Sequence, residues 1–180
     1  IGQVLGTGNN SAALIGALCS SPNKAKAVSG LPNPTGDVFD VGRVAHNIAH
    51  SFAALDTHNS NDPGCAGGPG NIGFEPGSGT TIMSVAGSCG PDNLQPLPDP
   101  YFHGVTINTI TNIFNGPGAS CKGTIATGNN WPRILAMPGN GSYIPINTPF
   151  TLTATASDPD GDPITYCWDQ EDRGFSGTWN

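Results

Sequence analysis

Two histidines, His46 and His50, stand four residues apart in the stretch His46-Asn47-Ile48-Ala49-His50-Ser51-Phe52-Ala53-Ala54-Leu55-Asp56. On a helix this spacing sets two imidazoles one turn apart on a single face, where one zinc ion can take a nitrogen from each. Asp56 follows with a carboxylate oxygen as third donor, and His58, just beyond it, competes for that place. A metal-bound water attacks well only if a neighbouring group takes its proton, and the residue after the first histidine is where a glutamate does so on such a helix. Here that residue is Asn47. An amide hydrogen-bonds to water but takes no proton from it near neutral pH.

The element that must carry these groups is a helix opened by Asp37. This residue is a good N-cap, and Asp40 three positions on imitates a capping box. Val41, Val44, Ala45, Ile48 and Phe52 fall on one side of the helical wheel, while His46, His50 and Ala53 fall on the other. One face is expected to be core and the other to border a cleft.

The composition fits a small extracellular globular chain. The 180 residues carry 36% hydrophobic and only 11% charged side chains, with 26 glycines and 17 prolines spread among apolar runs. That argues for short elements joined by many turns. A formal charge of -7 and the lack of any basic cluster exclude a nucleic-acid binder. No apolar run approaches the ~20 residues of a membrane span. Five cysteines without a C-x-x-C pair point to disulfides in an oxidising compartment. With no initiator Met and no signal peptide, the expectation is a processed or truncated piece of a secreted protein.

Short apolar segments at 1–5, 12–19 and 25–28 precede the helix, the middle one readable as strand or helix. After a Gly/Pro/Asn-rich loop (59–79) comes the apolar run 80–86 centred on Met83. A second helix starting at Asp99 or the turn at Pro100 ends at Gly116-Pro117. Residues 122–133 read as a linker. Beyond it, 143–146, 150–156 and 164–168 alternate like strands, separated by turn signals at 147–149 and 158–162. Asp158, Asp160 and Asp162 are spaced like a calcium loop, but Pro163 replaces the glycine such a loop needs. A β-turn that could bind calcium weakly is the expectation there. Gly6-Thr7-Gly8 is a turn without the basic residue or helix of a phosphate loop.

Taken in order, the motifs resemble a metzincin of the reprolysin-like (adamalysin-type) branch of secreted bacterial metallopeptidases. The resemblance rests on the histidine stretch, on Asn33-Pro34-Thr35-Gly36-Asp37 leading into it, and on Glu75-Pro76-Gly77-Ser78-Gly79-Thr80-Thr81-Ile82-Met83-Ser84-Val85-Ala86-Gly87 leading through a Met-turn. Asp99-Pro100-Tyr101-Phe102-His103 resembles the start of the closing helix, and 158–168 resembles the Ig-like or cadherin-like modules that follow such domains.

The resemblance implies an α+β chain: the C-terminal part of a metzincin protease domain over 1–121, N-terminally incomplete, a linker over 122–133, and an incomplete β-sandwich module over 134–180. It implies one zinc ion on His46, His50 and Asp56 (or His58) above Met83. Glu75 itself reads as the anchor of the loop before that methionine rather than as a replacement base. The resemblance also implies an edge strand at Ile1-Gly2-Gln3-Val4 that pairs with substrate, and disulfides Cys19–Cys121 and Cys65–Cys89 with Cys167 left over. Relative to the family pattern H-E-x-x-H-x-x-G-x-x-H or D, Asn47 stands for the glutamate and Ala53 for the glycine. A left-handed turn at Ala53 costs on the order of 1 kcal/mol. Losing a general base costs ~10²–10⁴ in rate.

The expected function is a secreted zinc metalloendopeptidase acting on protein or peptide substrates, its hydrolysis impaired by Asn47. The alternative is an inactive metzincin-like structural or adhesive extracellular protein, with self-assembly or cell-surface attachment through the β module.

Overall fold

The computed structural model describes residues 2–65, 72–139 and 141–173. The chain is mixed α+β and divides into two units, one formed by 2–122 with 169–173 and the other by 123–168.

In the first unit, β1 (Val4–Gly6), β2 (Ser11–Ala13) and β3 (Ala27–Gly30) form a sheet in the order β1-β3-β2. β3 pairs in parallel with β1, Val28 opposite Val4, and antiparallel with β2, Ser29 opposite Ser11. Residues 12–19 thus hold a strand only at their start, where β3 supplies partners for the main chain.

The helix over 37–51 has three parts: α1 (Asp37–Phe39), a π-helical segment (Asp40–Ala45) and α2 (His46–Ser51). Its N-cap is Gly36, not Asp37. Gly36 takes φ 70° and its carbonyl accepts from the N–H groups of Phe39 and Asp40. Asp37 becomes the first helical residue, and its acid faces the positive helix end without capping it. The wider turns of the π segment also rotate the buried face. Val41, Ala45 and Ala49, four apart, meet the core, whereas Val44 and Ile48 are half-buried.

α2 ends in a Schellman motif: the Ala53 N–H donates to the His50 carbonyl and the Ala54 N–H to the Ala49 carbonyl. Ala53 sits at φ 64°, a conformation that glycine takes freely and alanine does not. The strain expected from the missing glycine is therefore present.

The core gathers Ala49, Ala54, Ile82 and Met83, packed by Val41, Ala45, Phe102 and Ile110. Met83 is wholly buried in a turn closed by the Ser84 N–H on the Thr81 carbonyl. α3 (Gly104–Asn115) starts later than Asp99 or Pro100, because the His103 imidazole accepts from the Val105 N–H and caps it. It stops at Gly116, as the glycine-proline pair predicts. Phe114 of α3 meets Phe52 at the end of α2, ring centroids 4.9 Å apart. Disulfides join Cys19 to Cys121 and Cys65 to Cys89, and Cys167 takes part in neither.

In the second unit β4 (Arg133–Ala136) pairs antiparallel with β5 (Thr155–Ser157). The strands predicted over 143–146 and 164–168 do not form, and that over 150–156 survives only at its end. Tyr143, Ile146 and Phe150 are exposed. A strand pattern needs a partner ladder and an apolar face to cover, and two strands alone offer little of either. The aspartate run folds as a turn: the Gly161 N–H reaches the Asp158 carbonyl, and Asp158 Oδ1 accepts from the Asp160 and Asp162 N–H groups. Asp160 spends both carboxylate oxygens on Asn130, whose hydrogen bonds hold its carboxyl below the usual range. Among the described residues these three carboxylates do not form a group close enough to hold one metal ion.

Candidate metal centre

Spacing along α2 and the turn after it bring three side chains together. Asp56 Oδ1 lies 3.2 Å from His46 Nε2 and 3.5 Å from His50 Nε2. The two rings stand edge to face, 4.6 Å between centroids. Among the described residues, His46, His50 and Asp56 are the only group of three such ligand atoms close enough to hold one metal ion.

The surroundings suit a cation. Each histidine commits Nδ1 to a main-chain carbonyl, His46 to Ile82 at 2.8 Å and His50 to Ala54 at 2.9 Å. A carbonyl only accepts, so Nδ1 carries the proton and the Nε2 lone pair is left facing Asp56. Asp56 is 1% exposed, and its Oδ1 accepts no hydrogen bond among the described residues. A buried carboxylate oxygen without a donor is costly unless a positive charge meets it. Burial lowers the pKa of His50 and its neighbour His46 lowers it further, so the imidazole stays neutral and able to ligate.

His58, the competing third ligand, is not brought to this point. It is buried, and its main chain bridges to Glu75 instead. Alternation explains the outcome: Asp56 and His58 flank Thr57, whose N–H donates to the Met83 carbonyl and whose carbonyl accepts from the Phe74 and Glu75 N–H groups. The group of three that could hold a metal therefore takes Asp56 and not His58.

Glu75 holds this arrangement. Its Oε1 accepts from the Thr80 and Thr81 N–H groups at 2.8 and 3.0 Å. Its Oε2 accepts from the Thr81 hydroxyl at 2.6 Å and from the Thr57 hydroxyl. One buried carboxylate thus ties the segment carrying Asp56 to the turn carrying Ile82 and Met83. Gly79 makes room for it: at φ 69°, a Cβ there would lie 2.8 Å from Ser84 Cβ and 3.1 Å from Glu75 Cδ. Both oxygens of Glu75 are committed to hydrogen bonds within this anchor.

Asn47 turns to the sheet. Its Nδ2 faces Ser11 Oγ at 2.7 Å, the Val28 carbonyl at 2.9 Å and Ser29 Oγ at 2.7 Å. The Ser29 hydroxyl is itself committed to the Arg43 carbonyl, so it accepts from Asn47. The position calls for a donor, and a carboxylate oxygen set there would meet the Val28 carbonyl. Ser11 and Ser29 are partners that the sequence alone did not single out. Only their placement opposite each other in the β2–β3 register brings them to Asn47.

A cavity of about 310 Å³ opens over the cluster, lined by His46, His50 and Asp56 and by Ser11, Ala12 and Ala13 of β2. The strand bordering the cleft is therefore β2 and not Ile1-Gly2-Gln3-Val4. Val4 belongs to β1 at the far edge of the sheet, Gln3 donates to Ser29 Oγ, Gly2 lies against Ala25, and Ile1 falls outside the described residues. An apolar N-terminal run looks like an edge strand, but which edge meets the cleft depends on β2 folding back on β3.

No curated protein and no solved structure matches the chain. The description Metallo-peptidase family M12B Reprolysin-like matches residues 4–114, a span that takes in the sheet, the histidine helix, the Met83 turn and most of α3. With its match over more than half the sequence, the chain belongs to the reprolysin-like M12B metallo-peptidase family.

Proposed function

We propose that the chain is a secreted zinc metalloendopeptidase domain that has kept its metal centre and substrate cleft and lost most of its hydrolytic power through Asn47. The observation that carries this reading is the convergence of two Nε2 atoms and an unbonded, buried carboxylate oxygen on one point. Two imidazoles and a carboxylate suit zinc and leave a fourth position open. Bound there, zinc would polarise a scissile carbonyl and acidify a water.

The protein's own groups do the rest. The Ile82 and Ala54 carbonyls fix the tautomers of His46 and His50. β2 has an edge not used by β3, along which an extended peptide can add as a further strand across the cleft. Asn47, held on the sheet by its amide nitrogen, takes no proton. The disulfides and the absence, among the described residues, of a helix long and apolar enough to cross a membrane agree with an extracellular protein.

The test is casein hydrolysis with and without chelator, paired with metal analysis. The expected result is bound zinc with weak or no cleavage. Full chelator-sensitive cleavage by the unaltered chain would contradict the role given to Asn47.

One observation favours a second reading, an inactive extracellular structural or adhesive protein. Asn47 is fitted to its surroundings as a donor rather than left as a damaged base. The exposed apolar side chains of residues 123–168 would then serve self-assembly or attachment. Zinc binding separates the two, since a scaffold has no need of it.

A further inference from the structure

We propose that the cavity over the metal centre selects peptides bearing a carboxylate side chain, and that Arg43 is the residue that pairs with it. This rests on the reading of the cavity as a peptide site and adds a substrate class to it. Arg43 lies in the π-helical segment, three residues before His46 and seven before His50, and lines the same cavity as both. Among the described residues it is the only Lys or Arg lining the cavity.

Among the described residues the one acid lining the cavity is Asp56, whose Oδ1 is turned to the two imidazoles. Among the described residues the guanidinium of Arg43 has no ion pair or hydrogen bond, while its main-chain carbonyl accepts from the Ser29 hydroxyl and the His46 N–H. Of the other five cations, Lys26 reaches Asn23, Lys122 the Phe114 carbonyl and Arg173 the Ile72 carbonyl, while Lys24 and Arg133 stand exposed to solvent, which Arg43 does not. In a chain of net charge -7 with six Lys and Arg in all, a half-buried arginine with no internal acid beside a peptide-sized cleft is a fixed charge awaiting a partner.

A guanidinium pairs with a carboxylate through two parallel N–H···O bonds, a geometry that lysine-type or neutral partners do not match. A charge-assisted pair of this kind in a partly desolvated cleft is expected to tighten binding about tenfold to a hundredfold. Because Asn47 leaves hydrolysis slow, equilibrium binding can be read on the unaltered zinc-loaded chain.

The experiment uses end-blocked, fluorescently labelled peptides of alanine and glycine in which a single glutamate is moved through every position, and a matched glutamine set. Anisotropy is measured on the full chain and on Arg43→Gln and Arg43→Glu, with zinc content determined on each sample. The expected result is a glutamate advantage of about tenfold or more at one position, lost in Arg43→Gln and reversed in favour of a lysine peptide in Arg43→Glu. Equal binding of both sets, or an advantage that persists in Arg43→Gln because the carboxylate sits on the metal, overturns the proposal. A further arm leaves the C-terminus of the glutamine peptides free: an Arg43-dependent gain there, without one for glutamate, overturns the side-chain assignment in favour of a chain-end carboxylate. Zinc-loaded chain without a glutamate preference contradicts the role of Arg43 alone, whereas chain that takes up no zinc contradicts the metal-centre reading itself.

Discussion

His46 and His50 on one hand and Asn47 on the other occupy the same six-residue helix, yet their surroundings prepare them for opposite tasks. The histidines are set by acceptors, the Ile82 and Ala54 carbonyls, which leave a lone pair free toward Asp56. Asn47 is set by acceptors too, but they consume its donor nitrogen and join the helix to β2 and β3. The first arrangement holds a reactive valence open, and the second closes it. Sequence proximity to a metal site is thus no measure of participation in its chemistry; what each side chain is bonded to decides.

The sharpest way to break this contrast is Asn47→Glu. Restoring a base is expected to raise chelator-sensitive peptide hydrolysis by ~10²–10⁴. The lost donor to Val28 and Ser29 is expected to lower stability by roughly 1–3 kcal/mol in denaturant titration. Unchanged activity in a folded, zinc-loaded variant would show that the base is not what the chain lacks.

A smaller effect is expected at Glu75. Glu75→Gln sets an amide among four donors and loosens the turn that orients His46 through Ile82. Zinc affinity in a chelator competition should fall by about 10–100-fold, the usual cost of disturbing a ligand's support. A fall in melting temperature with unaltered affinity would make Glu75 a purely structural anchor.

The metal-free chain offers a pH test. Burial lowers the pKa of His50 and of His58 from the ordinary 6.5. Below 6.5 the unfolded chain takes up protons that the folded chain refuses. Stability is therefore full above that pH and falls on acidification, by at most about 1.4 kcal/mol per pH unit for each histidine until the folded pKa is reached. A melting temperature flat from pH 7 to 5 in chelator would contradict it.

The smallest change is Ala53→Gly. Removing the left-handed alanine should stabilise the fold by about 1 kcal/mol, with zinc affinity unaltered, as read by denaturant titration beside zinc titration.

The sequence discloses the ligand set more readily than its support. His46, His50 and Asp56 are close in the chain, so helical spacing and one short turn carry the inference. The anchoring role of Glu75 can also be read, because its partners Thr80 and Thr81 follow within six residues. What depends on distant pairing is hidden. Ser11-Ala12-Ala13 has little of the β-branched or aromatic character of a strand, yet it becomes the cleft's border because β3 pairs with it. The partners of Asn47 follow from that register. Gly36 displaces Asp37 as cap through its φ, which residue type hints at but does not determine. In 134–168 the alternation is strand-like, but most of it has no ladder to join.

The account turns on a cation shared by His46, His50 and Asp56, and metal titration of the chelator-stripped chain tests it most directly. One zinc per chain should bind to the unaltered protein and be lost in both His50→Ala and Asp56→Ala. Failure of the folded chain to take up zinc, or retention of it by both variants, would contradict the account.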